Sequence, residues 1–253
     1  MNANQIKFSC TALSGTGKKG ILPKDESGYR TVVVGGLNIF NSSNEFYSYE
    51  GARELFESSS SFMRRIKSGS LFGELGHPKP LPGQSMESYA NRIMMIEETN
   101  IACHFSDIWL DFDSVKDSKG APVIAVLAKV APAGARADAM ERSLSNPNIN
   151  TAFSIRAFTE DTYIGGVKNR VLKQIITYDG GMPEPGIEFA RKYKSPTLES
   201  YQEQTFTKQE LSKLIIPSDD NIATESSKNQ VIELFGALNW TFNDTDKPSF
   251  TAW

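Results

Sequence analysis

Two side chains in this sequence have the types that acyl transfer needs, and they lie far apart along it. Ser154 stands in the middle of Asn150-Thr151-Ala152-Phe153-Ser154-Ile155-Arg156-Ala157-Phe158, and His77 closes the stretch Leu71-Phe72-Gly73-Glu74-Leu75-Gly76-His77 before Pro78. A serine hydroxyl is a poor nucleophile at neutral pH until a base takes its proton, and the base works best when a third group fixes its tautomer. The chain has only two histidines, so a serine hydrolase here draws its base from His77 or His104. His77 sits in a glycine-bounded loop followed by prolines at 78, 80 and 82, which forbid a helix and hold an extended path. His104 lies inside Ile101-Ala102-Cys103-His104-Phe105, a strand pattern in which a half-buried core histidine is the plainer reading, with a third-member role as the alternative.

The Ser154 segment reads as one strand. Alternation puts Phe153 and Ile155 on one face and Ser154 with Arg156 on the other. Arg156 is therefore either the structural partner of a carboxylate or a support for an oxyanion beside the hydroxyl. Asn169 to Asp179 reads as the partner strand after a turn at Gly165-Gly166, which leaves Asp179 either as a turn-forming residue or as an acceptor for the imidazole. Residue types alone leave these pieces unjoined. No Gly-x-Ser-x-Gly elbow surrounds Ser154, which argues against an esterase of small molecules.

The elements that must carry these groups are mostly strands. Residues 5 to 14, 29 to 35 with an extension at 37 to 40, 101 to 112 and 121 to 130 have strand patterns, and Asn91 to Ile96 reads as a strand or an edge. A polar hairpin turn is expected at 116 to 120, joining the last two long strands. Helices are expected from 48 to 67, interrupted at Ser58 to Ser61, and from 134 to 144. The loop Ser14 to Gly20 resembles a phosphate-binding loop only in composition, since Lys19 stands where a magnesium-binding hydroxyl is required. Beyond Lys194 the composition turns to Ser, Thr, Gln and Glu. A capping box, Thr207-Lys208-Gln209-Glu210, opens a short helix there, and Val231, Leu234, Phe235 and Leu238 stripe a second. The expected division is one domain over 1–194 and a polar tail over 195–253 that either packs on the body or detaches.

The chain has 253 residues, 39% hydrophobic and 23% charged, with net charge −3, which describes a chain able to bury a core and gives no basic excess for a specific nucleic-acid partner. Two scattered cysteines and two histidines supply neither a disulfide framework nor a zinc site, so no metal or cofactor is expected. Neither a secretory leader nor an 18-residue apolar run is present, so no membrane is expected as a partner.

The ordered set Gly73-Glu74-Leu75-Gly76-His77-Pro78, Asn91-Arg92-Ile93, Ser154-Ile155-Arg156 and Ile175-Ile176-Thr177-Tyr178-Asp179 resembles the prohead core proteases of tailed phages, the T4-like group in particular, a family similar in fold to the herpesvirus assembly proteases. The resemblance covers about residues 20 to 190. It implies an α+β fold, a mainly antiparallel β-barrel surrounded by helices, with Ser154 as nucleophile and His77 as base. It implies Asp179 as the third member, with His104 as the alternative that herpesvirus enzymes suggest, and main-chain amides helped by Arg156 at the oxyanion. The implied substrates are scaffold, internal and major capsid proteins, cut after Glu inside the prohead in the host cytoplasm. The protease itself is a further implied substrate, and Ala223-Thr224-Glu225 fits the implied pattern, making Glu225 the expected self-cleavage residue. A homo-oligomer is compatible with the sequence. The alternative from a different class is a catalytically inactive structural or scaffold component of the capsid with a protease-like fold.

Overall fold

The computed structural model describes residues 5–14, 22–40, 45–113, 123–149, 151–181, 197–215 and 223–241, with the backbone alone at 9–14 and 197–203. In chain order the strands and helices are β1 (Gln5–Ser14), β2 (Arg30–Leu37), β3 (Ile39–Phe40), β4 (Phe46–Tyr47), α1 (Ser61–Lys67), β5 (Phe72–Glu74), α2 (Met86–Met94), β6 (Ile101–Asp111), β7 (Ile124–Pro132), α3 (Ala137–Ser145), β8 (Phe153–Ile164), β9 (Val167–Gly180), β10 (Thr197–Thr207), α4 (Lys208–Ser212) and α5 (Glu225–Ala237). Strands β10-β1-β8-β9-β4-β3 form one sheet and β2-β7-β6-β5 another.

The first half of β8 explains the architecture. Phe153 to Thr159 are all buried, so both faces of this strand need cover. Phe153, Ile155 and Ala157 point into a core shared with Val32, Val34, Phe105, Ile108 and Val126 of the four-stranded sheet, with Phe62 of α1 and with Met140 and Leu144 of α3. On the opposite face Phe158 joins Phe8, Tyr89, Ile93, Phe206, Leu211, Val231, Leu234 and Phe235, so this core lies between the six-stranded sheet and the helices α2, α4 and α5. The result is three layers: sheet, sheet, helices.

That layering corrects the barrel expectation. Among the described residues neither sheet closes on itself, because β10 and β3 end one sheet and β2 and β5 the other, with no ladder joining either pair. The sheets touch where the chain leaves β5, at a parallel bridge between Leu75 and Gly180.

The segment expected as a strand at Asn91 to Ile96 is instead the second half of α2. Ser85 caps this helix by accepting from the Ser88 amide, and Tyr89, Ala90, Ile93 and Met94 recur at helical spacing on its buried face. Described residues of the polar segment after Lys194 pair and pack with the rest of the chain. β10 pairs with β1 along its length, which no pattern in the polar sequence announced. The capping box of Thr207 and Glu210 opens α4, and the Thr224 hydroxyl accepts from the Ser227 amide to open α5. The hairpin turn expected at 116 to 120 and the glycine-rich loop after Ser14 lie outside the described residues.

Candidate active site

β8 and β9 pair antiparallel with Ser154 opposite Asp179 and Arg156 opposite Thr177. Directly opposed residues share a face with Cβ atoms about 5 Å apart, so the hydroxyl, the carboxylate and the guanidinium all stand on the helix side of the sheet. A register shift at Ile176 maintains this phase, and Arg65 of α1 donates to the Ile175 and Ile176 carbonyls there at 2.8 Å each.

His77 reaches the same place from the other sheet. After β5 the Gly76 amide donates to the Gly180 carbonyl at 2.9 Å, and Gly76 takes φ +78°, a left-handed conformation that glycine adopts without a Cβ penalty. The turn delivers His77 so that its Nδ1 lies 2.8 Å from Asp179 Oδ2. Tyr89 of α2 donates to the Pro78 carbonyl at 3.3 Å and so ties the following proline segment to the helix layer.

Asp179 accepts from four donors. Arg156 spans it with Nε on Oδ2 at 2.8 Å and Nη2 on Oδ1 at 2.7 Å, and the Glu74 amide donates to Oδ1 at 3.0 Å. Burial alone would push this carboxyl up; the Arg156 guanidinium and His77 outweigh burial and hold it down, to about 2. An ionised carboxylate can only accept, so the hydrogen bond between Asp179 and His77 places a proton on His77 Nδ1. Ser154 Oγ is fully buried and has no hydrogen-bond partner among the described residues.

His104 lies apart from this group. Tyr29 Oη and the Gly69 carbonyl each sit 2.9 Å from one of its ring nitrogens, which leaves neither for His77. The imidazole of His77 therefore has Asp179, and not His104, as its hydrogen-bond neighbour. Arg156, expected as a support for the oxyanion, meets carboxylates and carbonyls. Its fork is buried and engaged with Asp179, with Glu74 Oε1 at 3.3 Å from Nη2, and with the Ile93 and Met95 carbonyls at 3.2 and 3.1 Å from Nη1. Its contacts are those of a carboxylate's counter-ion. Glu225, exposed at the first turn of α5, is far in sequence from these residues and pairs with Lys228 at 2.9 Å.

Two further residues that the sequence left without a role belong to the cluster. Glu74 is fully buried, and Arg92 of α2 grips its carboxylate at 2.9 and 2.5 Å, while Asn100 Nδ2 and the Glu97 amide add donors at 3.0 and 2.9 Å. The available signal was a lone acid within an otherwise apolar segment, Leu71 to Leu75, because such a group is buried only with a counter-charge.

A sequence model described as the Peptidase S80 family matches residues 8–239 of this chain. The capsid maturation protease of Pseudomonas phage phiKZ is 37% identical over 205 residues, covering 79% of this chain and 74% of that protein. The solved structure of the bacteriophage T4 capsid assembly protease aligns with 78% of this chain and 98% of its own at 12% identity, with a TM-score of 0.41.

Proposed function

The chain belongs to the Peptidase S80 family, and from that premise we propose that it is a serine endopeptidase of phage capsid maturation, with Ser154 as nucleophile, His77 as general base and Asp179 as the group that orients the base. The observation that carries this reading is the convergence on one carboxylate: Asp179 faces Ser154 across the β8–β9 ladder and holds His77 Nδ1 at 2.8 Å.

The chemistry follows from these positions. Ser154 Oγ bonds to the scissile carbonyl carbon while His77 Nε2 takes the hydroxyl proton, and that proton passes to the leaving amine as the peptide C–N bond breaks. Water then attacks the acyl ester with the same base, releasing the new carboxyl end and restoring Ser154. Asp179 remains ionised and stabilises the imidazolium in each half-reaction. Because Ser154 is 0% and His77 8% exposed, a polypeptide reaches them only when their cover moves aside.

Substrates in this reading are capsid and scaffold proteins enclosed in the immature head, cut after glutamate, and the chain itself at Glu225. That bond lies in the first turn of α5, so cutting it requires the turn to unwind into an extended strand. The burial of Ser154 Oγ favours one second reading, an inactive capsid component that retains the protease fold.

The test is to incubate wild type and Ser154→Ala with the head proteins of the phage and follow intact masses. Wild type is expected to generate discrete fragments and Ser154→Ala none. The variant should melt no lower than wild type, since the hydroxyl it removes makes no hydrogen bond to lose. Equal processing by the two proteins would overturn the assignment.

A further inference from the structure

Asp179 presents a difficulty that Glu74 resolves. A carboxylate spanned by a guanidinium at 2.7 and 2.8 Å has most of its charge answered, which weakens it as a support for an imidazolium. The Arg156 fork, however, also lies 3.3 and 3.4 Å from Glu74 Oε1, on the side away from His77. We infer that Glu74 is a positioning residue for the His77–Asp179 pair: by sharing Arg156 it leaves negative charge on Asp179 for the imidazolium, and Arg92 limits how much. This inference rests on the proposed roles of His77 and Ser154.

The charges alternate from the base outward: Asp179, Arg156, Glu74, Arg92, Glu97. Arg92 Nη2 lies 3.0 Å from Glu97, which is the half-exposed end of the string. Counting these described groups, three carboxylates against two guanidiniums leave one negative charge, and a protonated His77 neutralises it. Charges in so dry a place act at long reach because little water screens them.

The titratable and polar groups around this cluster, element by element, fit this account. β9 supplies Asp179, β8 supplies Arg156, and the end of β5 supplies Glu74. α2 supplies Arg92 behind Glu74, and the following turn supplies Glu97. From β6 comes Cys103, whose thiol burial and the nearby Asp179 push up and so keep neutral. From α5 comes Gln230, a neutral amide that donates to the Met94 carbonyl at 2.7 Å.

Glu74 and Arg92 make a prediction that a merely structural pair would not. Glu74→Gln keeps the side chain's shape but deletes a negative charge, and Arg92→Gln deletes a positive one. The two substitutions should therefore move the protonation of His77 in opposite directions. The chain suits a direct reading, since His77 and His104 are its only histidines.

The experiment is a proton–carbon NMR titration of histidine-labelled protein in the Ser154→Ala background, which prevents self-cleavage, with the His104 signal assigned by its loss in His104→Gln. The His77 midpoint should fall by about one pH unit in Glu74→Gln and rise by about half a unit in Arg92→Gln. An unmoved midpoint in Glu74→Gln, or shifts of the same sign in both variants, would overturn the inference. Should Glu74→Gln not fold, Arg92→Gln decides alone, because its side chain reaches solvent: an upward shift supports the inference and any other result refutes it. No substrate enters this measurement, so its outcome is separate from the processing test on Ser154→Ala, which judges the function itself.

Discussion

Asp179 accepts at both oxygens, and the order of its donors predicts what a neutral replacement does. Oδ2 receives Arg156 Nε and stands against His77, whereas Oδ1 receives Arg156 Nη2 and the Glu74 amide. In Asp179→Asn the amide NH2 must take one of these positions. At Oδ1 it opposes two donors and at Oδ2 only one, so it settles at Oδ2 and donates to His77 Nδ1. That moves the ring proton to Nε2 and removes the acceptor Ser154 needs. Processing should fall by about 10⁴-fold while the protein remains folded, a loss of the size that the wrong tautomer causes in serine hydrolases. Activity within about tenfold of wild type would contradict the tautomer argument.

The same carboxyl links the site to acid stability. Its folded value lies below the ordinary one, so its contribution is fully present above about pH 4 and is lost as pH falls through about 2. Glu74 acts in the same direction: burial would raise it, and Arg92 with Arg156 bring it below its ordinary value. Urea unfolding followed from pH 5 to pH 2 should lose about 2 kcal/mol that the Asp179→Asn variant does not lose. Parallel curves for the two proteins would contradict the assignment. At this scale residue types offered Ser154, His77 and Asp179 only as separate candidates, which the family resemblance joined, and the contacts of Arg156 were not legible. A guanidinium on the serine's face suits an oxyanion as well as a carboxylate, and only the fold shows that Glu74 and Asp179 stand within its reach.

At the scale of elements, β5 is only three residues long yet delivers both Glu74 and His77. It lies so close to β9 that a Cβ on Gly73 would fall on the Tyr178 carbonyl oxygen, with Cys103 Sγ at 2.9 Å and Phe105 Cε2 at 3.0 Å. A backbone oxygen cannot rotate away, so Gly73→Ala should push β5 off β9, lower stability by about 3 kcal/mol and abolish processing together with it. A thermal melt matching wild type would show that this close approach is not needed. Strands with clear alternation or β-branched runs, such as β2, β7 and β8, were legible. α2 was not, because Asn91-Arg92-Ile93-Met94-Met95-Ile96 taken alone satisfies a strand as well as a helix; the cap at Ser85 and the spacing from Tyr89 resolve it.

At the scale of the molecule, the polar composition after Lys194 concealed a structural segment. Its buried residues are few but well placed: Phe206, Leu211, Leu214, Ile215, Val231, Leu234 and Phe235 supply much of the core beneath the helices, and β10 covers the edge of β1. Strand pairing is a long-range property that a run of Ser, Glu, Tyr and Gln does not encode locally. A chain ending at residue 194 should therefore be insoluble or lack a cooperative melt, because it exposes both an apolar sheet face and an unpaired strand. A soluble product with a sharp transition would restore the picture of an independent domain with a tail. Loss of α5 alone, as cutting after Glu225 entails, removes a smaller share and leaves β10 in place.

The central claim is that a hydroxyl on β8 becomes nucleophilic through an imidazole held by a carboxylate on β9. The measurement that meets it most directly is the intact and peptide mass of the protein after exposure to a fluorophosphonate. The account predicts one adduct, on the peptide containing Ser154, at a rate that collapses in His77→Ala. No adduct in wild type, an adduct on a different serine, or undiminished labelling of Ser154 in His77→Ala would contradict it.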